Sequence, residues 1–304
     1  MIKTFYQLCN MSQKDLKSHL ELELNKTYAN IKSQDGFIYA QGSLPILLVA
    51  HLDTVHKDLP ESIIYSPQNQ TISSPNGIGG DDRCGVYMIL EVIKKHNCSV
   101  LFCEDEEIGG IGAHKFIDAK IKDLNFNYII EFDRKGSNDA VFYNCDNPEF
   151  EEFITKEFYK TAYGSFSDIS IIAPHLGCAA VNLSCGYYNA HTAGEYVVFS
   201  EMINSIEAAC KIIERTTEDD KFEYIETTGY TFGYYSDSYG QKFDDYMLEY
   251  YLFQYTDEYG TEQWFETEAC SFEEAVGMFC IRYPHLSFNN IIDVYNDDEN
   301  ANLR

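Results

Sequence analysis

The chain has 304 residues, 45% hydrophobic and 23% charged, with 49 acidic against 22 basic side chains and a formal net charge of −27. That length fits one large domain, or a medium one with a small one, and the composition excludes a disordered chain. So negative a surface repels phosphate, which argues against nucleic acid or an anionic membrane as partner, and no apolar run approaches the roughly 18 residues of a membrane span.

The N-terminal Met1-Ile2-Lys3-Thr4 leads into polar sequence without the apolar stretch of a signal peptide. None of the ten cysteines is spaced C-x-x-C. The expectation is a cytoplasmic protein with reduced, buried thiols, with neither a disulfide frame nor a zinc knuckle. Composition shifts after Glu218-Asp219-Asp220: residues 1–217 carry 29 acids and 18 bases, residues 218–304 carry 20 acids, 4 bases and half of the 24 tyrosines. We read 1–217 as the main domain and 218–304 as a separate acidic, tyrosine-rich unit.

In chain order, Pro45 to Ala50 (PILLVA) is a short apolar run, as in a buried strand. Asp81 to Lys95 places Val86, Ile89, Leu90 and Ile93 on one helix face. Ser99 to Cys103 and Tyr128 to Phe132 are further buried strands, with a short helix between them over Gly112 to Ala119. Ala140 to Tyr143 reads as a strand, Pro148 to Lys160 as a helix and Ala179 to Leu183 as a strand. Ser200 is the expected N-cap of a helix reaching Arg215. This alternation predicts an α/β fold, a three-layer αβα arrangement with a mostly parallel mixed sheet and helices on both faces. In such sheets ligands lie beyond the carboxyl ends of the strands.

Five polar clusters stand at those places: His51-Leu52-Asp53-Thr54-Val55, Gly79-Gly80-Asp81-Asp82, Glu104-Asp105-Glu106-Glu107, Asp133 and Asn189-Ala190-His191-Thr192. Carboxylates gathered at one sheet edge raise one another's pKa values, and divalent ions relieve that repulsion. Histidine with Asp and Glu, and no Cys, suits zinc, with cobalt or manganese as alternatives.

The motifs H-x-D-T-V at 51–55, G-G-D-D at 79–82, D-E-E-x-G-G-x-G-A at 105–113, E-F-D at 131–133 and N-x-H-T at 189–192 occur in the order of the co-catalytic di-zinc exopeptidases, which the sequence resembles over about residues 45–200. The resemblance implies two zinc ions. His51 and Asp133 would bind the first, Glu107 and His191 the second, and Asp81 would bridge them. Asp53 would hold the imidazole of His51 from behind. Glu106 would be the general base, taking the proton of a water held between the ions so that hydroxide attacks. Adjacent residues on an extended chain point opposite ways, so Glu106 and Glu107 require a turn, for which Gly109-Gly110 supply backbone freedom.

Other residues carry blander readings. Asp82 is either a complement to the helix dipole or a support for the ligands. Glu104 and Asp105 are read as solvated loop charges. His56, His114 and His175 lack motif support, although His56 is close enough to His51 to reach substrate. Arg134 and Lys135 either grip a substrate carboxylate or balance local charge. Gly164 to Asp168 either lines the pocket or caps a helix. Gaps of 30 residues from His51 to Asp81 and 58 from Asp133 to His191 are too short for the inserted lid domain of many relatives. The compact single-catalytic-domain branch is therefore expected, and the missing lid arginine lowers the carboxypeptidase reading.

In the C-terminal unit, Tyr246 to Tyr255 and Thr261 to Glu268 flank a turn at Asp257-Glu258-Tyr259-Gly260. A capping box at Ser271 to Glu274 opens a helix, and Asn290 to Tyr295 is a third strand, giving a small ββαβ unit over about 244–296. It either covers the catalytic domain's flank or contacts a partner, a second copy of the chain included. The leading expectation is an aminopeptidase or dipeptidase acting on short peptides. A carboxypeptidase or N-acyl amino acid amidohydrolase is the second, and a metal-stabilised binding module working through the C-terminal unit the third.

Overall fold

The computed structural model describes residues 2–164, 166–226, 249–257, 259–269, 279, 282–283, 286 and 290–296. Its elements in order are α1 (Ile2–Cys9), α2 (Gln13–Leu24), β1 (Ile31–Gln34), β2 (Phe37–Ala40), β3 (Leu44–His51), β4 (Ile64–Ser66), β5 (Thr71–Ser73), α3 (Gly80–Val92), β6 (Cys98–Cys103), α4 (Ile111–Asp118), β7 (Tyr128–Arg134) and β8 (Asp139–Val141). There follow α5 (Pro148–Thr155), β9 (Lys160–Ala162), α6 (Asp168–Leu176), β10 (Ala180–Ser184), β11 (Tyr187–Tyr188), β12 (Tyr196–Val198), α7 (Phe199–Arg215), β13 (Glu249–Thr256), β14 (Glu262–Ala269) and β15 (Ile291–Asn296).

The main sheet has the order β1-β2-β6-β3-β7-β10-β8-β9. Its centre, β6-β3-β7-β10, is parallel, with His51 beside Cys103 and Val49 beside Glu131. The carboxyl ends of β3, β6 and β7 thus form one rim. Strand alternation sends Ile46, Leu48 and Ala50 into the core shared with α1, α2, α3 and α7, and Leu47 and Val49 into the core shared with α4 and α6. A strand covered on both faces reads as an unbroken apolar run, which is why PILLVA and YIIEF are recognisable. The eight cysteines among the described residues are free and buried.

Three local expectations are corrected. The helix from Pro148 ends at Thr155, and Lys160–Ala162 is instead an edge strand paired with β8. Ser200 lies inside α7, whose N-cap is Val198. Glu104 is not a solvated charge: it is ion-paired with Lys17 and accepts the Gly36 N–H at 2.8 Å. A second sheet, β11-β12-β5-β4, brings the His191 loop beside the segment that leads into α3.

The chain divides into two compact units, Met1–Tyr163 with Ser167–Glu226 and Gly164–Phe166 with Thr227–Arg304. The first keeps the chain through Glu226 because Phe222 packs on Phe150 and Phe153, and Glu223 and Glu226 bridge to Cys178 and Cys145. In the second unit the hairpin β13–β14 is continued by β15 on the other side of β13. The expected helix after Ser271 falls largely outside the described residues.

Helix α3 crosses the sheet closely at Gly85. A Cβ there would lie 1.9 Å from the Phe132 carbonyl oxygen and 2.5 Å from both carboxylate oxygens of Asp82. Backbone cannot yield as a side chain does, so Gly85→Ala should cost about 3 kcal/mol or more, the upper range for overpacking. Urea denaturation of the ion-free chain checks this, and a loss below ~1 kcal/mol would contradict the close crossing.

Candidate metal centre

His51 ends β3 and is 1% exposed. Its Nδ1 lies 3.1 Å from Asp53 Oδ1, and its Nε2 lies 3.0 Å from Asp81 Oδ1 and 3.4 Å from Asp133 Oδ1. Asp81 stands at the start of α3, and its second oxygen, Oδ2, lies 3.2 Å from His191 Nε2. His191 Nε2 is also 3.1 Å from Glu107 Oε2. Asp81 therefore turns one oxygen to each of two imidazoles, and His51, Asp81, Glu107, Asp133 and His191 meet at the sheet rim.

Asp53 has two tasks. Besides facing His51, it accepts the backbone N–H of Glu106 at Oδ1 and of Glu107 at Oδ2, each at 3.0 Å. This clamp fixes the turn that sets the two neighbouring glutamates apart, and Gly109 and Gly110 complete it at φ 100 and 64. Burial alone would raise the Asp53 carboxyl, but the hydrogen bonds from His51 and from the two N–H groups outweigh it and hold it low. The His191 loop is closed by Thr192, whose hydroxyl donates to the Asn189 carbonyl at 2.8 Å and accepts the Gly194 N–H at 3.2 Å.

The other acids are crowded. Burial, then the Asp81 charge, raises Glu107 to about 7 and also raises Asp133. Glu106 is raised well above its ordinary value by burial, with Asp133 and Glu107 adding to it against the pull of His51. Glu107 Oε1 is buried without a hydrogen-bond partner. Two imidazoles, a carboxylate shared between them, an orphaned carboxylate oxygen and mutually repelling acids are a donor set that suits divalent cations. Ligand-capable atoms of Asp81, Glu107 and His191 lie within 4.8 Å of one another, as do those of His51, Asp82 and Asp133, and those of His51, Glu106 and Glu107.

Several supporting residues carry no motif in the sequence. Asn182 pairs with the Asp133 backbone, accepting its N–H at 2.9 Å and donating to its carbonyl at 3.1 Å. Tyr187 donates its hydroxyl toward Asp133 Oδ1 at 3.2 Å, and Ser167 lies 2.9 Å from Asp133 Oδ2 and beside Glu131. Ser167 is also the N-cap of α6, so segment 164–168 both caps a helix and reaches the centre. Asp168 is fully buried with both oxygens unpartnered, and burial raises it to about 7. Asp82 accepts the N–H of Gly85 at 2.7 Å and of His51 at 3.2 Å, joining the start of α3 to the end of β3. Arg134 is turned to Asp139, and His56 to Glu195.

Comparison with known proteins accords with this geometry. The model of peptidase family M28 matches residues 31–171. That span holds His51, Asp53, Asp81, Glu106, Glu107 and Asp133. A comparison with curated proteins found no match. Among solved structures the fold is similar to the aminopeptidase PepT of Bacillus cereus, with TM-score 0.57 and 14% identity over 70% of this chain and 97% of that one. It is similar also to a tripeptidase of Staphylococcus aureus (TM-score 0.56, 14% identity, 70% of this chain and 96% of that one). A third similar structure is an aminopeptidase of the archaeon Desulfurococcus kamchatkensis (0.55, 17%, 71% and 95%). Residues 31–171, on the α/β frame that gathers their acids and histidines at one rim, are thus similar to peptidase family M28.

Proposed function

We propose that the chain is a two-zinc aminopeptidase or dipeptidase acting on short peptides. The observation that carries this reading is Asp81, whose two oxygens each face a different imidazole. His51 and Asp133 would hold one ion, Glu107 and His191 the other, and Asp81 both. Such ions supply Lewis-acid polarisation of the scissile carbonyl and of the attacking water. Glu106 takes the water's proton on its carboxylate and delivers it to the leaving amine nitrogen. Asp53 holds both His51 and the Glu106-Glu107 backbone, so it fixes ligand and base together.

The arginines beside the centre favour cleavage at the amino end. Arg134 is engaged by Asp139, and Arg83 donates to the carbonyls of Leu52, Asp53 and Met11. Neither is turned to grip a substrate's C-terminal carboxylate. Purified chain should lose its activity to a chelator and regain it with zinc. It should cleave C-amidated peptides with a free amino end and spare N-blocked ones. Cleavage of N-blocked substrates alone would overturn the aminopeptidase reading in favour of a carboxypeptidase or amidohydrolase.

A further inference from the structure

Glu195 lies four residues beyond His191 and is 1% exposed. Its Oε1 accepts the backbone N–H of Asp81 at 3.0 Å, and its Oε2 accepts that of Gly79 at 2.7 Å. The same Oε2 lies 2.8 Å from His56 Nε2. One buried carboxylate thus joins three loops: the one after β3, the one that enters α3, and the one that carries His191.

The glycines of the segment Gly77-Ile78-Gly79-Gly80 make that approach possible. A Cβ on Gly80 would lie 3.3 Å from Glu195 Oε1 and 2.8 Å from Val197 Cγ2, and one on Gly77 only 2.1 Å from the His56 ring. Burying a carboxylate costs several kcal/mol unless hydrogen bonds replace its water. Here two backbone N–H groups and an imidazole do so, and one of those N–H groups belongs to the residue that faces both His51 and His191. We infer that Glu195 is a positioning residue for the metal pair. By holding the Asp81 backbone it sets where the Asp81 carboxylate stands between the two imidazoles, and His56 holds Glu195 in turn. The inference rests on the two-metal reading of the site.

Glutamine is nearly isosteric with glutamate but offers one acceptor oxygen. Its NH2 group would face a backbone N–H, so either Gly79 or Asp81 must shift. The test uses full-length wild type and Glu195→Gln, stripped with chelator and titrated with Co(II) against a chromophoric competitor. The visible cobalt band and the melting temperature of the ion-free chain are recorded alongside. We expect Co(II) binding weaker by ~10–100-fold, as for other residues that support ligands, with a changed band. A purely structural role would lower the ion-free melting temperature and leave affinity and band as in wild type, and that result overturns the inference. If Glu195→Gln does not fold, His56→Ala carries the test, since it removes one of the two partners of Glu195 Oε2 and should still weaken Co(II) binding; unchanged affinity overturns the inference there too. Wild type that binds no Co(II) would instead bring down the two-metal reading itself.

Discussion

Replacing Glu106 by glutamine should lower kcat by about 10²–10⁴-fold, the span of a general-base contribution, while two metal ions remain bound. Geometry makes the substitution informative. The backbone of Glu106 is fixed by its N–H to Asp53 Oδ1, independently of its side chain, so the amide should occupy the place of the carboxylate. What is lost is the ability to accept a proton. Ligand-capable atoms of Glu106 also lie near those of His51 and Glu107, so a role as ligand is the competing explanation. Metal analysis of the purified variant separates them. Two equivalents with low kcat identify a base, one equivalent identifies a ligand, and two equivalents with full activity exclude both roles.

The parts of this fold that were legible in the sequence are those with a single dominant driving force. Strands β3 and β7 are apolar on both faces, and α3 is buried along most of its length, so their patterns survive any detail of packing. The proposed ligands His51, Glu107 and Asp133 were legible as a group for a related reason: they stand at or just beyond the carboxyl ends of such strands, which a parallel sheet puts on one rim, whereas His191 comes from the loop between β11 and β12. Short edge elements were not. Lys160–Ala162 is held by pairing with β8, with two of its three residues exposed, and nothing in Lys-Thr-Ala distinguishes it from the end of the preceding helix. Ser200 looked like a cap because serine favours that place, but Phe199 packs against Phe5 and Tyr87 and draws the helix start forward.

Among site residues, Glu195 and Asn182 stayed hidden because their work is done on backbone atoms of distant segments, Asp81 with Gly79 and Asp133 respectively. No spacing rule encodes such contacts. The available signal was weak: a charged or amide residue inside or next to an apolar strand, as in Ala-Val-Asn-Leu-Ser and Glu-Tyr-Val-Val. Ser167 was legible only as part of segment 164–168, for which lining the pocket and capping a helix stood as alternatives; its hydroxyl contacts Asp133 and it is the N-cap of α6, so both hold.

Asp81→Asn should have the larger effect on metal binding, because one change reaches both ions. An amide carries no charge and has one acceptor oxygen, so it cannot face His51 and His191 alike as the two carboxylate oxygens do. The affinity for at least one ion should fall by more than ~10²-fold, beyond the range for residues that only support ligands, and peptidase activity should fall with it. Stability gives an independent readout. With free ion at 100 times the dissociation constant, each occupied site adds about 2.7 kcal/mol to the folded state. The wild type should thus lose roughly twice that on chelation, and Asp81→Asn about half as much or less. The comparison is internal to each protein, so any direct cost of the substitution cancels. Equal stoichiometry and an equal stability gain in the variant would mean that two ions, if bound, do not share Asp81, and the arrangement of ligands proposed for this rim would have to be abandoned.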